Sequence, residues 1–153
     1  MRWPEWMDHI KAKSEDMGGQ SLAQHTWDVL ARMADQRRLR PDLNAWLGDP
    51  IWSQAFWAAF LHDFGKAASG FQGVLRGESN RWRENRLRHE VLSLGFLDWV
   101  FPRGHPDRAA VLAMVACHHK DASEIFNKYG GAVDLQKVKE RSEAEAFHQT
   151  LTE

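Results

Sequence analysis

The chain of 153 residues carries a net charge of −1, which excludes a strong overall field that would attract nucleic acid. It contains one cysteine, Cys117, so an intrachain disulfide framework is excluded and a reducing cytoplasm is expected. No run of about eighteen apolar residues occurs, and we therefore expect no membrane span. The length and the 43% hydrophobic content predict a single domain over residues 1–153 with one substantial core.

The first half of the chain predicts an N-terminal arm and two helices. Residues 1–19 are interpreted as a partly helical docking arm. Ser21 is a suitable N-cap for a helix over about 21–36, and His25 lies beside the apolar stripe of that helix, so its side chain is expected to point inward. A second helix, from about 50 to 63, begins at an Asp-Pro pair and is almost entirely apolar, which predicts that it is buried.

The second half of the chain predicts further helices and no strand. Residues 67–77 contain three glycines and are interpreted as a structured loop or short turn. Helical periodicity predicts long helices over about 83–100 and 106–119, followed by a short helix over 121–129. The tail from about 134 to 153 favours helix but has a thin apolar stripe, so we expect it to be loosely attached. The predicted fold class is all-α.

Histidines recur on four of these helices where a bundle could bring them to one internal site. The residues with metal-binding side chains in this pattern are His25, His62, Asp63, His89, His118 and His119. A buried charge must be paired or bound to a metal, and mixed nitrogen and oxygen ligands suit Mn, Fe, Co, Ni or Zn. Six ligands exceed the needs of one tetrahedral ion, which favours two ions sharing Asp63.

Four ordered motifs over roughly residues 21–120 resemble those of a known family. They are Gln24-His25-Thr26, His62-Asp63 with Gly65-Lys66 and Phe71-Gln72, His89-Glu90, and His118-His119. Together they resemble the HD-superfamily nuclease domain of the CRISPR type I helicase–nuclease. The resemblance implies an HD-domain helical bundle with a metal site between helices. It also implies that the protein cuts single-stranded DNA, and that it acts beside a helicase subunit or domain and an RNA-guided CRISPR complex.

The resemblance also implies two ligand sets for one or two divalent ions. The first set would be His25, His62 and Asp63, and the second would be Asp63, His89, His118 and His119. Members of the family usually supply a further aspartate beyond the His-His pair. Asp121 and Asp134 follow that pair here without an obviously matching context, so a truncated fragment, a split subunit and a variant with an incomplete first site all remain open.

The expected chemistry is phosphodiester hydrolysis by an activated water, with Asp63 and Lys66 as the catalytic residues. Lys66 could contact the scissile phosphate or orient Asp63. A basic segment is the candidate for binding DNA through phosphate contacts and base stacking, although a solvated helix face is the alternative. Its candidate residues are Arg81, Trp82, Arg83, Arg86 and Arg88.

Two other functions are compatible with the same residues. One is a phosphohydrolase or phosphodiesterase of the wider HD superfamily that acts on nucleotides. The other is an inactive metal-binding module that serves as a scaffold in a CRISPR assembly. The His62-Asp63 doublet could also be a hydrogen-bonded pair at a helix end, and the His118-His119 pair could simply complement the negative end of a helix dipole.

Overall fold

The computed structural model describes residues 8–78, 88–119 and 127 and confirms the all-α prediction for them. Seven α-helices run through the described part of the chain. They are α1 (Leu22–Leu39), α2 (Leu43–Leu47), α3 (Ile51–Leu61), α4 (Ser69–Leu75), α5 (His89–Ser93), α6 (Leu97–Val100) and α7 (Arg108–Ala116). Shorter 3-10 turns lie at Glu15–Met17, Phe64–Ala67 and Leu94–Phe96. None of the helices described is both long and apolar enough to cross a bilayer.

The first two predicted helices are present with shifted ends. Ser21 caps α1 as predicted, since its side chain accepts a hydrogen bond from the backbone N–H of Gln24 at 3.2 Å. Helix α3 ends at Leu61 rather than near residue 63. Asp63 lies outside the helix at φ −109° and ψ 4°, and a 3-10 turn follows it. The doublet therefore lies at a bend in the backbone rather than on a helix face.

Two sequence-based interpretations are corrected by the structure. Residues 69–75 form helix α4, although the three glycines of this region had indicated a loop. The helix predicted over 83–100 is not regular where it is described, because α5 is separated from α6 by the 3-10 turn Leu94–Phe96. Gly95 in the middle of that turn has a low helix propensity, which is consistent with the tighter winding. Residues 83–87 lie outside the described part.

The hydrophobic core lies between α3, α6 and α7, directly beneath the doublet. Its buried members are Ala58, Leu61, Phe96, Leu97, Phe101, Val111 and Val115. Aromatic rings extend it in edge-to-face contacts, as between Trp57 and Phe101, whose ring centroids are 5.9 Å apart. The core therefore supports the end of α3 from one side. Helices α1 and α5 approach this end of α3 from other sides.

The N-terminal arm folds against the body of the protein where it is described. The backbone N–H of Leu22 donates to the carbonyl of Ile10 at 2.7 Å. The buried Gln72 amide accepts from the N–H of Lys11 and donates to its carbonyl, each at 2.8 Å. The predictions for residues 1–7, for the helix over 121–129 and for the tail over 134–153 fall outside the described residues, apart from Asn127.

Candidate metal centre

The structure brings the six predicted side chains together around Asp63. Helix α1 supplies His25, the end of α3 supplies His62 and Asp63, the first residue of α5 is His89, and the turn after α7 carries His118 and His119. The Asp63 side chain is 1% exposed. Four segments that are distant in sequence therefore meet at one buried carboxylate.

One oxygen of this carboxylate faces the α1 side of the site. Asp63 Oδ2 lies 3.0 Å from His25 Nε2 and 3.3 Å from His62 Nε2. The two imidazole nitrogens are 3.4 Å from each other. Lys66 Nζ lies 2.8 Å from the same oxygen, which gives the carboxylate one fixed positive neighbour.

The other oxygen faces the α5 and α7 side. Asp63 Oδ1 lies 3.0 Å from His89 Nε2 and 3.6 Å from His118 Nε2. The ring of His119 packs against His118, with centroids 4.2 Å apart, and against His89 at 5.2 Å. These four residues can each offer one ligand atom within 4.8 Å of all the others. The two oxygens thus divide the imidazoles into two sets, and Asp63 belongs to both.

Backbone carbonyls fix which nitrogen of two imidazoles points into the site. His62 Nδ1 lies 2.7 Å from the carbonyl oxygen of Ala59, and His118 Nδ1 lies 2.6 Å from that of Val115. A carbonyl can only accept, so Nδ1 carries the proton in both rings. In the neutral ring Nε2 then presents a lone pair to the Asp63 carboxylate. Because Nε2 and the carboxylate oxygen are both acceptors, their close approach requires a cation or a proton between them.

The donor set fits divalent metal ions on the evidence of its unpaired atoms. Three buried atoms of the second set have no aligned hydrogen-bond partner, namely Asp63 Oδ1, His89 Nε2 and His118 Nε2. Ligand atoms bound at about 2.1 Å to one ion lie about 3.0 to 3.4 Å from each other, which is close to the separations around Asp63. Nitrogen and carboxylate ligands suit transition-metal ions.

Charge interactions in the site shift several pKa values. Burial alone would raise the pKa of the Asp63 carboxyl, but the four imidazoles facing it hold that pKa far below its usual range. Burial likewise opposes the charged form of His118, yet contact with Asp63 raises its pKa above the ordinary value. The pKa of His119 is lowered by burial and by the neighbouring His118 and His89. Asp63 is therefore an anion throughout the physiological range.

Behind His89 lies a buried ion pair between Arg88, which was predicted to bind DNA, and Glu90, for which no separate role was predicted. Glu90 is 1% exposed, and its Oε1 accepts a hydrogen bond from Arg88 Nε at 2.8 Å. Its Oε2 lies 3.3 Å from His89 Nδ1. Burial opposes ionisation of Glu90, but Arg88, a backbone hydrogen bond and the charge of His89 together lower the pKa of Glu90. The cue in the sequence was a glutamate next to a candidate ligand.

Of the predicted DNA-binding residues, the structure describes Arg88. Arg88 points inward to Glu90 and is a quarter exposed. The other four, Arg81, Trp82, Arg83 and Arg86, lie outside the described residues. Asp121 and Asp134 also lie outside them, so the structure describes no carboxylate from beyond the His-His pair.

Comparison with known proteins gives two matches. The sequence matches the family model described as Cas3, HD domain, over residues 11–152. It is also similar to the CRISPR-associated nuclease/helicase Cas3 of Methanothermobacter thermautotrophicus, with 26% identity over 161 aligned positions. That alignment covers 88% of this chain, and the chain spans 19% of the relative's length. No solved structure gives a significant match.

Proposed function

Because the chain belongs to the family of Cas3 HD domains, we propose that it is a metal-dependent nuclease that cuts single-stranded DNA in CRISPR type I interference. The observation that carries the proposal is the buried carboxylate of Asp63, whose two oxygens face two separate groups of imidazole nitrogens. A purely structural ion pair would not need four imidazoles around one aspartate, two of them with an unpaired ring nitrogen.

The two groups of side chains divide the metal-binding task. Asp63 with His89, His118 and His119 would hold one divalent ion, and His25, His62 and Asp63 would hold a second. Bound Mn, Ni, Co, Fe or Zn ions would supply an activated water and offset the charge of the phosphate. Asp63 would keep the two ligand sets in a fixed relation because each set uses one of its oxygens.

Lys66 is positioned to act on this carboxylate. Its ammonium lies 2.8 Å from Asp63 Oδ2 and its side chain is mostly buried. From there it would hold the orientation of Asp63 and add a positive charge beside the first ligand set. That positive charge would favour an anionic substrate over a neutral one.

The name of the similar protein, a nuclease/helicase, supports a helicase subunit or domain as a partner. We propose that such a partner and an RNA-guided CRISPR complex deliver the DNA strand in the cytoplasm. The near-neutral net charge of this chain supplies little attraction by itself. The segment with Arg81, Trp82, Arg83 and Arg86 is the proposed contact for the strand, whereas Arg88 is committed to Glu90 where the structure describes it.

Circular single-stranded DNA tests this function directly. With Mn²⁺ or Ni²⁺ the protein should cut the circles, and Asp63→Asn should lower the rate by at least about 100-fold because the shared ligand loses its charge. Asp98→Asn is the matched control, since Asp98 forms an ion pair with Arg108 away from the site and its loss should leave the rate unchanged.

The same assay separates the competing functions. Turnover of nucleotides without attack on the circles would point to a small-molecule phosphohydrolase instead. Tight metal binding without either activity would point to a scaffold module. Equal cleavage by wild type and Asp63→Asn would contradict the proposed centre altogether.

A further inference from the structure

A buried serine with no ligand role joins the turn that carries Asp63 to helix α5. Ser93 closes α5 and is fully buried. Its Oγ accepts a hydrogen bond from the backbone N–H of Gly65 at 2.8 Å and donates to the carbonyl of His62 at 2.7 Å. The carbonyl of His89 lies 2.9 Å from the same hydroxyl.

Two of these three contacts involve residues on either side of Asp63 in the sequence. His62 precedes it and Gly65 follows two residues later, so one hydroxyl fixes the backbone before and after the carboxylate. The third contact reaches the carbonyl of His89, the residue whose imidazole lies 3.0 Å from Asp63 Oδ1. The hydroxyl thus bonds to the backbone on either side of Asp63 and also lies against the carbonyl of His89.

The two segments also touch without any side chain between them. Gly65 is buried, and a Cβ placed there would collide with the carbonyl oxygen of His89 and lie 2.7 Å from Leu92 Cβ and from Ser93 N. Such a close approach needs glycine at position 65 on one segment. The other segment presents the short polar side chain of Ser93. Ser93 provides a hydrogen-bonding group for the buried backbone at this contact.

We infer that Ser93 is a positioning residue that sets the Asp63 carboxylate against the His89 imidazole and so determines the metal affinity of the Asp63, His89, His118 and His119 set. The inference depends on the proposed function in one respect, namely that this set binds a divalent ion. Without the hydroxyl, Gly65 N–H and the His62 carbonyl lose their buried partner, and the turn that carries Asp63 is free to move relative to α5.

The test compares metal binding by purified wild type and Ser93→Ala, measured by calorimetry with Co²⁺ alone and by the visible absorption of the bound ion. We expect Ser93→Ala to weaken binding by about 10- to 100-fold, the range found for residues that orient ligands, and to change the Co²⁺ spectrum. Ser93→Cys, whose thiol is somewhat larger than the hydroxyl and is a weaker hydrogen-bonding group, should fall between the two.

Leu97→Ala is the matched control, since Leu97 is fully buried and belongs to the hydrophobic core rather than to either ligand set. It should lower the melting temperature at least as much as Ser93→Ala while leaving the affinity and the spectrum of the folded protein unchanged. All variants are measured below their melting temperatures. Wild-type affinity and spectrum in both serine variants would overturn the inference. An equal loss of affinity in Leu97→Ala would also overturn it.

The failure of this inference can be distinguished from the failure of the proposed function. If wild type binds Co²⁺ but does not cut DNA, the nuclease proposal fails while the affinity of the serine variants still decides the role of Ser93. If wild type both binds and cuts while Ser93→Ala binds equally well, only the positioning role fails.

Discussion

At the scale of single residues, the decisive feature is that Asp63 is shared. Its Oδ1 faces His89 and His118, and its Oδ2 faces His25. A ligand that contributes to one set should therefore affect one ion, whereas Asp63 should affect both. The set on the Oδ1 side offers four ligand atoms and the set on the Oδ2 side offers three, so the former should bind more tightly.

This difference predicts the effect of removing one histidine from each set. His118→Ala should remove the tighter of two binding events, and His25→Ala should remove only the weaker one. Titration of each metal-free variant with Mn²⁺, followed by the stoichiometry and affinity of binding, distinguishes the two. Identical binding curves for the variants would contradict the division into two sets.

Proton competition predicts a pH dependence for metal binding. Burial opposes the charged form of His118, but Asp63, the carbonyl of Val115 and Glu90 together raise its pKa. A metal ligand must be deprotonated, so His118 holds its competing proton to a higher pH than an ordinary histidine. Affinity should therefore fall as the pH is lowered from 8 to about 6. Calorimetry in buffers of different ionisation enthalpy should show proton release on binding, and affinity independent of pH would contradict this.

At the scale of secondary structure elements, the bend after α3 and the start of α5 form one unit. Gly65 lets the two backbones approach, Ser93 bonds across the contact, and Glu90 with Arg88 fills the space behind His89. A helix that continued regularly through residue 63 would carry its carboxylate elsewhere around the helix axis. The break in the helix is thus part of how the site is built.

Substitution of Gly65 tests this unit. Gly65→Ala should destabilise the protein by about 3 kcal/mol or more, at the upper end of overpacking effects, because the added Cβ meets the backbone of His89 and Ser93. Gly104→Ala is the control: its φ of +91° makes alanine strained, but nothing lies near its Cβ. It should cost only about 1 to 2 kcal/mol. Urea denaturation of both variants gives the comparison, and equal costs would contradict the close approach.

At the scale of the whole molecule, the proposed metal centre would crosslink distant segments. Its candidate ligands come from α1, from the end of α3, from α5 and from the turn after α7. Ions held by these segments together would bind the folded chain and not the unfolded one. We therefore expect folding and metal binding to be coupled.

The coupling predicts a metal-dependent melting temperature. A metal concentration 100 times the dissociation constant should add about 2.7 kcal/mol, which corresponds to roughly 5 to 10 °C for a chain of this length. A chelator should reverse the shift. His118→Ala should show a much smaller one, and a shift of full size in that variant would place the stabilising ion elsewhere.

The sequence by itself determined the helical class and the identity of the candidate ligands. Both are local properties: a 3.6-residue apolar period defines helices, and short motifs such as His62-Asp63 and His118-His119 keep their spacing whatever the tertiary packing. The same local signals misjudged residues 69–75, whose glycines indicated a loop although packing stabilises helix α4, and they did not resolve the break at Leu94–Phe96.

Only the tertiary structure decided how the ligands are arranged. The spacing of residues did not indicate which Asp63 oxygen faces which imidazole. It also did not indicate that Arg88 turns inward or that Ser93 contacts Gly65 and His62. Ser93 bonds to Gly65, which is 28 positions away in the chain, and His62 approaches His25, which is 37 positions away. Their geometry depends on how whole helices pack, and helix propensity and apolar periodicity carry no information about the distance between two side chains on different helices.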